Sequence, residues 1–293
     1  MRLAEALWRT ARPGQALLNL PVPAMGFLFA AEREPFPSSS FLLGLAGAAL
    51  LFAHVLAFNN YGGFESDRRD PRKAFVPCYD RLGRRGLLLW SLTLLLAALA
   101  AGGAISPLFA GLQVVIAGAW MLYAVPPVYL KGRFPWPAVI HLLSGPAYFA
   151  LGGEAAGGMA PGGWIFGLYF GAAITAGHFC QEAADAPVDL ASGTATFAVR
   201  WGPKAGMAAG LTFFAAALAL AAALGWGGWL PWGEAACLGL PNAIVIPLGL
   251  LRWPSGGVER RVPGFIRLYR RLYLLGGLAF LILHLHRVPI VLG

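Results

Sequence analysis

Apolar residues fill long runs along the chain, and charged residues are confined to the short segments between them. Each run is close to the roughly 20 residues that an α-helix needs to cross the hydrocarbon core of a bilayer. The pattern predicts nine spans, at 14–32, 38–58, 86–105, 107–126, 136–153, 161–184, 205–225, 232–251 and 265–285. We therefore predict one all-α domain over residues 1–293, a bundle of about nine transmembrane helices around a central cavity with cytoplasmic cap loops.

Composition agrees with this pattern and excludes the soluble protein classes. The chain is 58% hydrophobic and only 12% charged, whereas soluble domains carry about 25% charged residues. Its 39 glycines are typical of helices that approach one another closely in lipid. Cys78, Cys180 and Cys237 form no CxxC pair, so the sequence shows no metal knuckle or redox motif.

The first 13 residues form a separate amphipathic pattern. Leucine and tryptophan at helical spacing oppose charged residues, with Leu3, Leu7 and Trp8 against Arg2, Glu5 and Arg9. This arrangement predicts a short interfacial helix lying on the membrane surface.

The distribution of positive charge predicts the orientation in the membrane. If the N-terminus is cytoplasmic, every one of the 22 Lys and Arg residues except Arg33 and Arg287 falls in or beside a cytoplasmic segment. The positive-inside rule thus accounts for the net charge of +9 without nucleic acid, and the basic loops should contact anionic membrane lipids. We predict a multi-pass protein of the inner (cytoplasmic) membrane.

The few acidic residues fall mainly in two patches, after the second and the sixth predicted spans. The first patch holds Glu65, Asp67, Asp70 and Asp80, and the second holds Glu182, Asp185 and Asp189. Both spans end on the cytoplasmic face, so the patches should share one end of the bundle. Solvated loop charges are the alternative, but two patches on one face favour a site for a charged ligand. By contrast, Glu154 and Glu234 are expected to be solvated in outer loops, and His284 and His286 to be interfacial.

Spacing within the patches indicates a cation. Asn59, Gly63 and Asp67 follow at i, i+4 and i+8, on one helix face, and Asp185 and Asp189 are also four residues apart. Like charges at this spacing destabilise a helix, and a bound cation would offset the repulsion. Carboxylate and amide oxygens suit Mg²⁺, which often takes further ligands from a substrate's phosphates.

These segments resemble the UbiA-type superfamily of intramembrane prenyltransferases, and the resemblance covers nearly the whole chain. That superfamily has nine helices and two aspartate-rich motifs, N-D-x-x-D-x-x-x-D and D-x-x-x-D, after helices two and six. The second motif is intact here, and the residues that trail it, Gly193, Thr194, Thr196 and Gly202, also follow the family pattern. "LYAVPPVYLKGR" at 122–133 resembles the family's Y-x-x-P-x-x-x-x-K segment, and "RPGQALLNLPVP" resembles its usual opening.

The first motif departs from the family pattern. Asn60 and Gly63 stand where the family has aspartates, and only Asn59 and Asp67 match. We expect that Glu65 or Asp70 replaces one missing carboxylate, because the Gly62–Gly63 pair can break the helix and redirect the chain after it.

The resemblance implies Mg²⁺-dependent transfer of an isoprenoid chain from a prenyl diphosphate to an aromatic or other lipophilic acceptor. It implies catalytic roles for Asp67, Asp185 and Asp189, and magnesium ligation by Asn59, Asp67, Asp185, Asp189 and Glu182. The residues then expected to contact substrate are Asn60, Glu65, Asp70, Arg72, Lys73, Tyr123, Lys131, Arg133 and His178.

Two other functions stay open at this point. The same scaffold could cyclise a prenyl diphosphate, as a UbiA-type terpene cyclase. It could also bind or transport an isoprenoid or another lipid without turnover, which the missing carboxylates slightly favour.

Overall fold

The computed structural model describes residues 1–31, 38–68, 76–125, 127–252 and 258–287. Within these ranges the chain is helical and contains no β-strand, which confirms the predicted all-α fold. The α-helices are α1 Leu3–Ala11, α2 Pro13–Asn19, α3 Pro21–Ala31, α4 Ser38–Gly62, α5 Phe64–Asp67, α6 Val76–Gly103, α7 Pro107–Ala124, α8 Trp136–Ala155, α9 Gly163–Ala191, α10 Phe197–Trp201, α11 Pro203–Trp226, α12 Trp232–Arg252 and α13 Val258–Leu285. A single 3₁₀ turn, Leu130–Gly132, joins α7 to α8 in this part of the chain.

Seven helical stretches in the described ranges are long and apolar enough to cross a membrane, which makes this a multi-pass membrane protein. They are Leu3–Ala31, Ser39–Gly62, Val76–Gly103, Pro107–Ala124, Pro203–Trp226, Trp232–Leu251 and Arg261–Leu285. The predicted spans 136–153 and 161–184 correspond to α8 and α9, which are not among the seven. Both helices carry glycine and histidine along with their apolar residues, so the number of nine spans stays a prediction.

Helix α9 lies at the centre of the bundle, against α3, α8, α11 and α13. Glycines bring α8 and α9 into backbone contact: a Cβ on Gly145 would lie only 2.0 Å from the Gly171 backbone nitrogen. In the same way, a Cβ on Gly152 of α8 would lie 1.8 Å from the Pro23 carbonyl oxygen of α3. Small residues therefore set the spacing of the central helices, as the glycine content predicts.

The N-terminal amphipathic segment forms α1, which packs on α4 and α6. Ala6, Thr10 and Ala11 are buried, while Leu3 and Trp8 are exposed. Trp90 of α6 donates a hydrogen bond from Nε1 to the Leu7 carbonyl, at 3.1 Å. One face of α1 is thus fixed to the bundle, and its location at the membrane surface stays a prediction.

An ionic cluster lies where the start of α12 meets the end of α13. The sequence predicts solvated and interfacial residues at these positions. Glu234 is only 2% exposed and His284 is fully buried. Glu234 lies 2.9 Å from Nδ1 of His284 and 2.9 Å from the Arg287 guanidinium. The expectation of a solvated Glu234 is therefore wrong, because α12 and α13 bring Glu234 and His284 together and each offsets the burial of the other. The interfacial position of His284 stays a prediction. Glu154 is also engaged, since Ser106 donates a hydrogen bond to it at 2.7 Å.

Candidate functional site

The C-terminal ends of α4, α7 and α9 meet the start of α8 at one end of the bundle. Phe58 of α4, Tyr123 of α7 and Ile140 of α8 share one apolar cluster, with Tyr61 packed against it. Tyr123 faces the carboxylates of Glu182 and Asp189 on α9. Described members of both acidic patches therefore lie at the same end of the molecule, near this aromatic cluster.

The second patch occupies the last turns of α9. Asp185 and Asp189 flank Pro187, which has no N–H to continue the helical hydrogen-bond ladder. The chain then leaves the helix at Gly193, whose φ of 73° suits glycine, and the Thr194 N–H bonds back to the Asp189 carbonyl at 2.9 Å. Asp185 is exposed, whereas Asp189 is partly buried by the returning chain.

Thr196 connects this turn to the Asp189 carboxylate. Its hydroxyl accepts from the Val199 N–H, which caps α10, and also hydrogen-bonds the Asp189 side chain. A hydroxyl can accept and donate at the same time. The Gly193-to-Thr196 segment thus folds over the second patch and fixes one of its two aspartates.

Around Asp189, negatively charged carboxylates outnumber the positive groups that face them. Asp189 lies beyond the predicted span 161–184, and burial raises its pKa to about 6. Lys131, on the 3₁₀ turn, opposes this rise, while Asp185 and Glu182 add to it. Two carboxylates one helical turn apart, one exposed and one partly buried, with one nearby lysine can accept a further cation at low cost.

A buried polar stack continues from this patch into the bundle. Glu182 is 7% exposed and His178 is 8% exposed, and His178 Nε2 lies 3.2 Å from Glu182 Oε1. The His141 ring stacks on His178 at 4.0 Å between centroids, and Trp120 meets His141 edge-on. Glu182 also lies against the first backbone amides of α10. Its carboxylate is therefore turned toward His178, one helical turn deeper than Asp185, and its ligation of magnesium stays a prediction.

The first patch keeps the helical face that the sequence predicts. The Gly63 N–H donates to the Asn59 carbonyl and the Asp67 N–H to the Gly63 carbonyl, both at 2.8 Å. Asn59, Gly63 and Asp67 therefore follow one another along one face. Tyr79 of α6 donates from its hydroxyl to Asp67 Oδ2 at 2.8 Å, while Glu65 is exposed.

Arg12 is a further candidate residue of this site, and the sequence reasoning missed it. It lies between α1 and α2 in the left-handed conformation, with φ 48° and ψ 57°. Its Nη2 donates to Oδ1 of Asn60, and its guanidinium also hydrogen-bonds Tyr79 and faces Asp67. In the sequence, Arg12 is only a charged residue at the border of an apolar run. That position does not indicate that its partners would be Asn60 on α4 and Tyr79 on α6.

The other residues expected to contact substrate differ in their surroundings. Asn60 is fully buried, and its amide also donates to the Thr10 carbonyl at 2.9 Å, so the N-terminal segment engages both its oxygen and its nitrogen. Arg133 is exposed and donates to the Pro127 carbonyl, whereas Lys131 faces Glu182 and Asp189. Asp70, Arg72 and Lys73 lie outside the described residues.

The donor set determines how well magnesium would fit. Among the described residues, no group of three His, Cys, Asp or Glu side chains could by itself hold a metal ion. The Asp185–Asp189 pair supplies carboxylate oxygens one turn apart and fits a magnesium ion that takes its other ligands from phosphate and water. In the first patch Asp67 is the carboxylate on the shared face, and Tyr79 and Arg12 surround it.

The family model that matches this chain decides its family. The model of the UbiA prenyltransferase family matches residues 20–261. The chain belongs to this family. No curated protein matches the chain.

Solved structures share the UbiA fold with this chain. A UbiA homologue from Archaeoglobus fulgidus bound to GPP and Mg²⁺ has a TM-score of 0.76 and 17% identity, and the alignment covers 94% of this chain and 99% of that one. An apo UbiA homologue from Aeropyrum pernix K1 has a TM-score of 0.73 and 20% identity, covering 96% and 98%. A structure described as digeranylgeranylglyceryl phosphate synthase has a TM-score of 0.73 and 17% identity, covering 96% and 99%. The UbiA fold thus extends over nearly the whole of this UbiA-family chain.

Proposed function

We propose that this protein transfers an isoprenoid chain from a prenyl diphosphate to an aromatic or other lipophilic acceptor within the membrane. The observation that carries the proposal is the Asp185–Asp189 pair at the end of α9, with Thr196 and Lys131 directed at it. The UbiA relative from Archaeoglobus fulgidus, which is bound to GPP and Mg²⁺, supports the same class of donor and the same cofactor.

Charge complementarity explains how an acidic site can bind an anionic donor. Asp185 and Asp189 would hold Mg²⁺, which would supply Lewis-acid stabilisation of the negative charge on the leaving diphosphate. Lys131 faces the same carboxylates and is placed to donate charge-assisted hydrogen bonds to phosphate oxygens. The diphosphate is thereby held at the membrane boundary, and its isoprenoid tail extends among the helices.

The aromatic cluster at this end of the bundle suits the reacting carbon. Breaking the carbon–oxygen bond leaves the electron pair on diphosphate and a positive charge on the allyl group. Tyr123, Tyr61 and Phe58 pack in one cluster at this end of the bundle, and aromatic faces stabilise a cation by roughly 1–2 kcal/mol in a dry site. The buried bundle around them excludes water, which would otherwise convert the cation to an alcohol.

The polar stack beneath Asp185 suits an acceptor that carries an oxygen function. His178 Nε2, Glu182 Oε2 and Trp120 Nε1 are buried atoms that, within the described part of the chain, have no hydrogen-bond partner. Buried polar atoms in native proteins are nearly always paired, so these three are candidates to bind the hydroxyl or carbonyl of an acceptor ring. His178, whose Nε2 lies 3.2 Å from Glu182 Oε1 without a hydrogen bond to it, is our candidate to accept the proton that the ring loses after attack.

A turnover assay with purified protein tests the proposal. Labelled prenyl diphosphates, from geranyl to polyprenyl, are supplied with Mg²⁺ or EDTA and a panel of aromatic acceptors. Metal-dependent diphosphate release together with a prenylated ring is the expected result. Hydrocarbon products without an acceptor would instead identify a terpene cyclase, and no release with any donor would identify a protein that only binds or carries isoprenoids.

A further inference from the structure

The first acidic patch has lost two carboxylates but contains a fixed positive charge. Asn60 and Gly63 stand at the positions where the family motif has aspartates. The Arg12 guanidinium lies beside this patch, bonded to Asn60 and Tyr79 and facing Asp67. The patch therefore sets one guanidinium against the single carboxylate of the shared helical face, whereas at the second patch one lysine faces the carboxylates of Asp189 and Glu182.

Asn60 is chemically suited to hold Arg12 in place. Its amide oxygen accepts from the guanidinium while its amide nitrogen donates to the Thr10 carbonyl at 2.9 Å. An ionised aspartate accepts only and could not make the second bond. These two hydrogen bonds of Asn60 hold both Thr10 and Arg12 against α4. Arg12 has a left-handed backbone conformation, which is uncommon for a non-glycine residue.

Gly63 is likewise suited to the observed position of Asp67. A Cβ on Gly63 would lie 3.2 Å from Asp67 Oδ2 and 3.3 Å from Asp67 Cγ. The Asp67 carboxylate thus lies over the glycine, where it accepts the hydrogen bond from Tyr79. A larger residue at position 63 would crowd this carboxylate, so both departures from the family motif fit the Arg12–Tyr79–Asp67 arrangement.

We propose that the Arg12 guanidinium supplies the positive charge that a metal ion would carry at the first patch. The proposal rests on the prenyl diphosphate function above. On this reading the protein binds its donor with a single divalent cation, held on the Asp185–Asp189 side, while Arg12 neutralises Asp67 and the facing side of the diphosphate. A metal ion at Asp67 would be repelled by the guanidinium in a medium where charges interact strongly.

Counting bound metal tests this proposal without relying on turnover. Mn²⁺ serves as the spectroscopic replacement for Mg²⁺, and geranyl thiodiphosphate serves as the unreactive donor. Free Mn²⁺ is measured by EPR while it is titrated into purified protein saturated with the analogue. We expect one Mn²⁺ per chain, lost in Asp189→Asn and retained in Asp67→Asn. Two Mn²⁺ per chain, or equal loss in both variants, would overturn the proposal.

Variants at Arg12 provide the second measurement. Arg12→Gln should weaken binding of the analogue at saturating Mn²⁺ by about tenfold or more, and Arg12→Lys should recover most of this loss because it keeps the charge. Arg9→Gln is the matched control, since Arg9 is an exposed residue of α1 that pairs with Glu5, and it should bind the analogue normally. Equal binding by Arg12→Gln and wild type would contradict the proposal.

The two proposals fail in different ways. Two bound Mn²⁺ in a protein that releases diphosphate would remove the role of Arg12 and leave the prenyltransferase function intact. A protein that binds neither Mn²⁺ nor the analogue, and releases diphosphate from no donor, would remove both. The metal count on wild-type protein decides the matter even where Arg12→Gln fails to fold.

Discussion

At the residue scale, the two aspartates of α9 should be indispensable. Asp185→Asn or Asp189→Asn removes a carboxylate charge from the proposed magnesium site, where the ion contributes several kcal/mol to the transition state. Each variant should therefore lose at least about 100-fold in diphosphate release. The measurement is the rate of labelled diphosphate release at saturating Mg²⁺.

Asp80→Asn is the matched control for these variants. Asp80 is counted in the first patch, but we assign it no role in binding or catalysis, because it is an exposed residue that pairs with Arg68 at 3.0 Å. Such surface pairs contribute little, so this variant should keep its activity within about threefold. Near-full turnover by Asp189→Asn would show that the metal has been assigned to the wrong side chains.

Tyr79 should link stability to donor binding at the first patch. It is 1% exposed, donates to Asp67 and hydrogen-bonds Arg12. Tyr79→Phe keeps the ring, which stacks on Phe64, but removes the hydroxyl, so we expect a loss of about 1.5–3 kcal/mol of stability. A lower melting temperature together with weaker binding of the thiodiphosphate analogue is expected, and unchanged values of both would show that the hydroxyl is dispensable.

Residues close in sequence were easier to predict than residues that meet across the fold. Asp185 and Asp189 are four apart on one helix, so helical geometry alone places them together. Arg12 and Asn60 are 48 positions apart, and Glu234 and His284 are 50 apart. No spacing rule connects such pairs, which explains why Arg12 was missed and Glu234 was assigned to solvent.

At the element scale, the contact between α8 and α9 should be intolerant of any side chain. Gly145→Ala would place a methyl 2.0 Å from the Gly171 nitrogen, and overpacking of this kind costs typically about 1–3 kcal/mol. Because the second patch sits on α9, a shift of this helix should also lower activity. The loss of stability is measured as the melting temperature in one detergent, and the loss of activity as the rate of diphosphate release.

Gly118→Ala is the matched control for the helix contact. Gly118 is within α7, and the described residues place no atom within 4 Å of a Cβ at this position. Alanine favours a helix by up to about 1 kcal/mol over glycine, so this variant should melt at the same temperature or higher. Equal destabilisation by the two substitutions would show that helix propensity, and not close packing, decides the effect of Gly145→Ala.

Helices were predictable from the sequence where a long apolar run defines them, and less so where a turn interrupts the run. The predicted span 14–32 is two helices, α2 and α3, and the short α10 follows the acidic patch without an apolar run of its own. Thr196 starts α10 by capping it and also holds Asp189. Capping and carboxylate contact depend on the return of the chain after Gly193, which hydrophobic periodicity does not describe.

At the scale of the whole molecule, the bundle separates two polar ends. The proposed site occupies the end formed by α4, α7 and α9, and the Glu234–His284–Arg287 cluster fixes α12 to α13 at the other. Under the proposed function, an isoprenoid tail and a lipophilic acceptor would enter the apolar middle from the bilayer, whereas a diphosphate would approach from water. The arrangement therefore requires the site to face the compartment that contains the donor.

The distribution of Lys and Arg predicts that this compartment is the cytoplasm. Single cysteines at the two ends of α9 test the orientation: Ser192→Cys lies beside the site and Pro161→Cys precedes the helix at the other end, and both positions are exposed. After Cys78, Cys180 and Cys237 are replaced by serine or alanine, a membrane-impermeant maleimide should label Ser192→Cys in inverted vesicles and Pro161→Cys in right-side-out vesicles. Labelling in the reverse pattern would place the site outside the cytoplasm, and with it the source of the prenyl diphosphate.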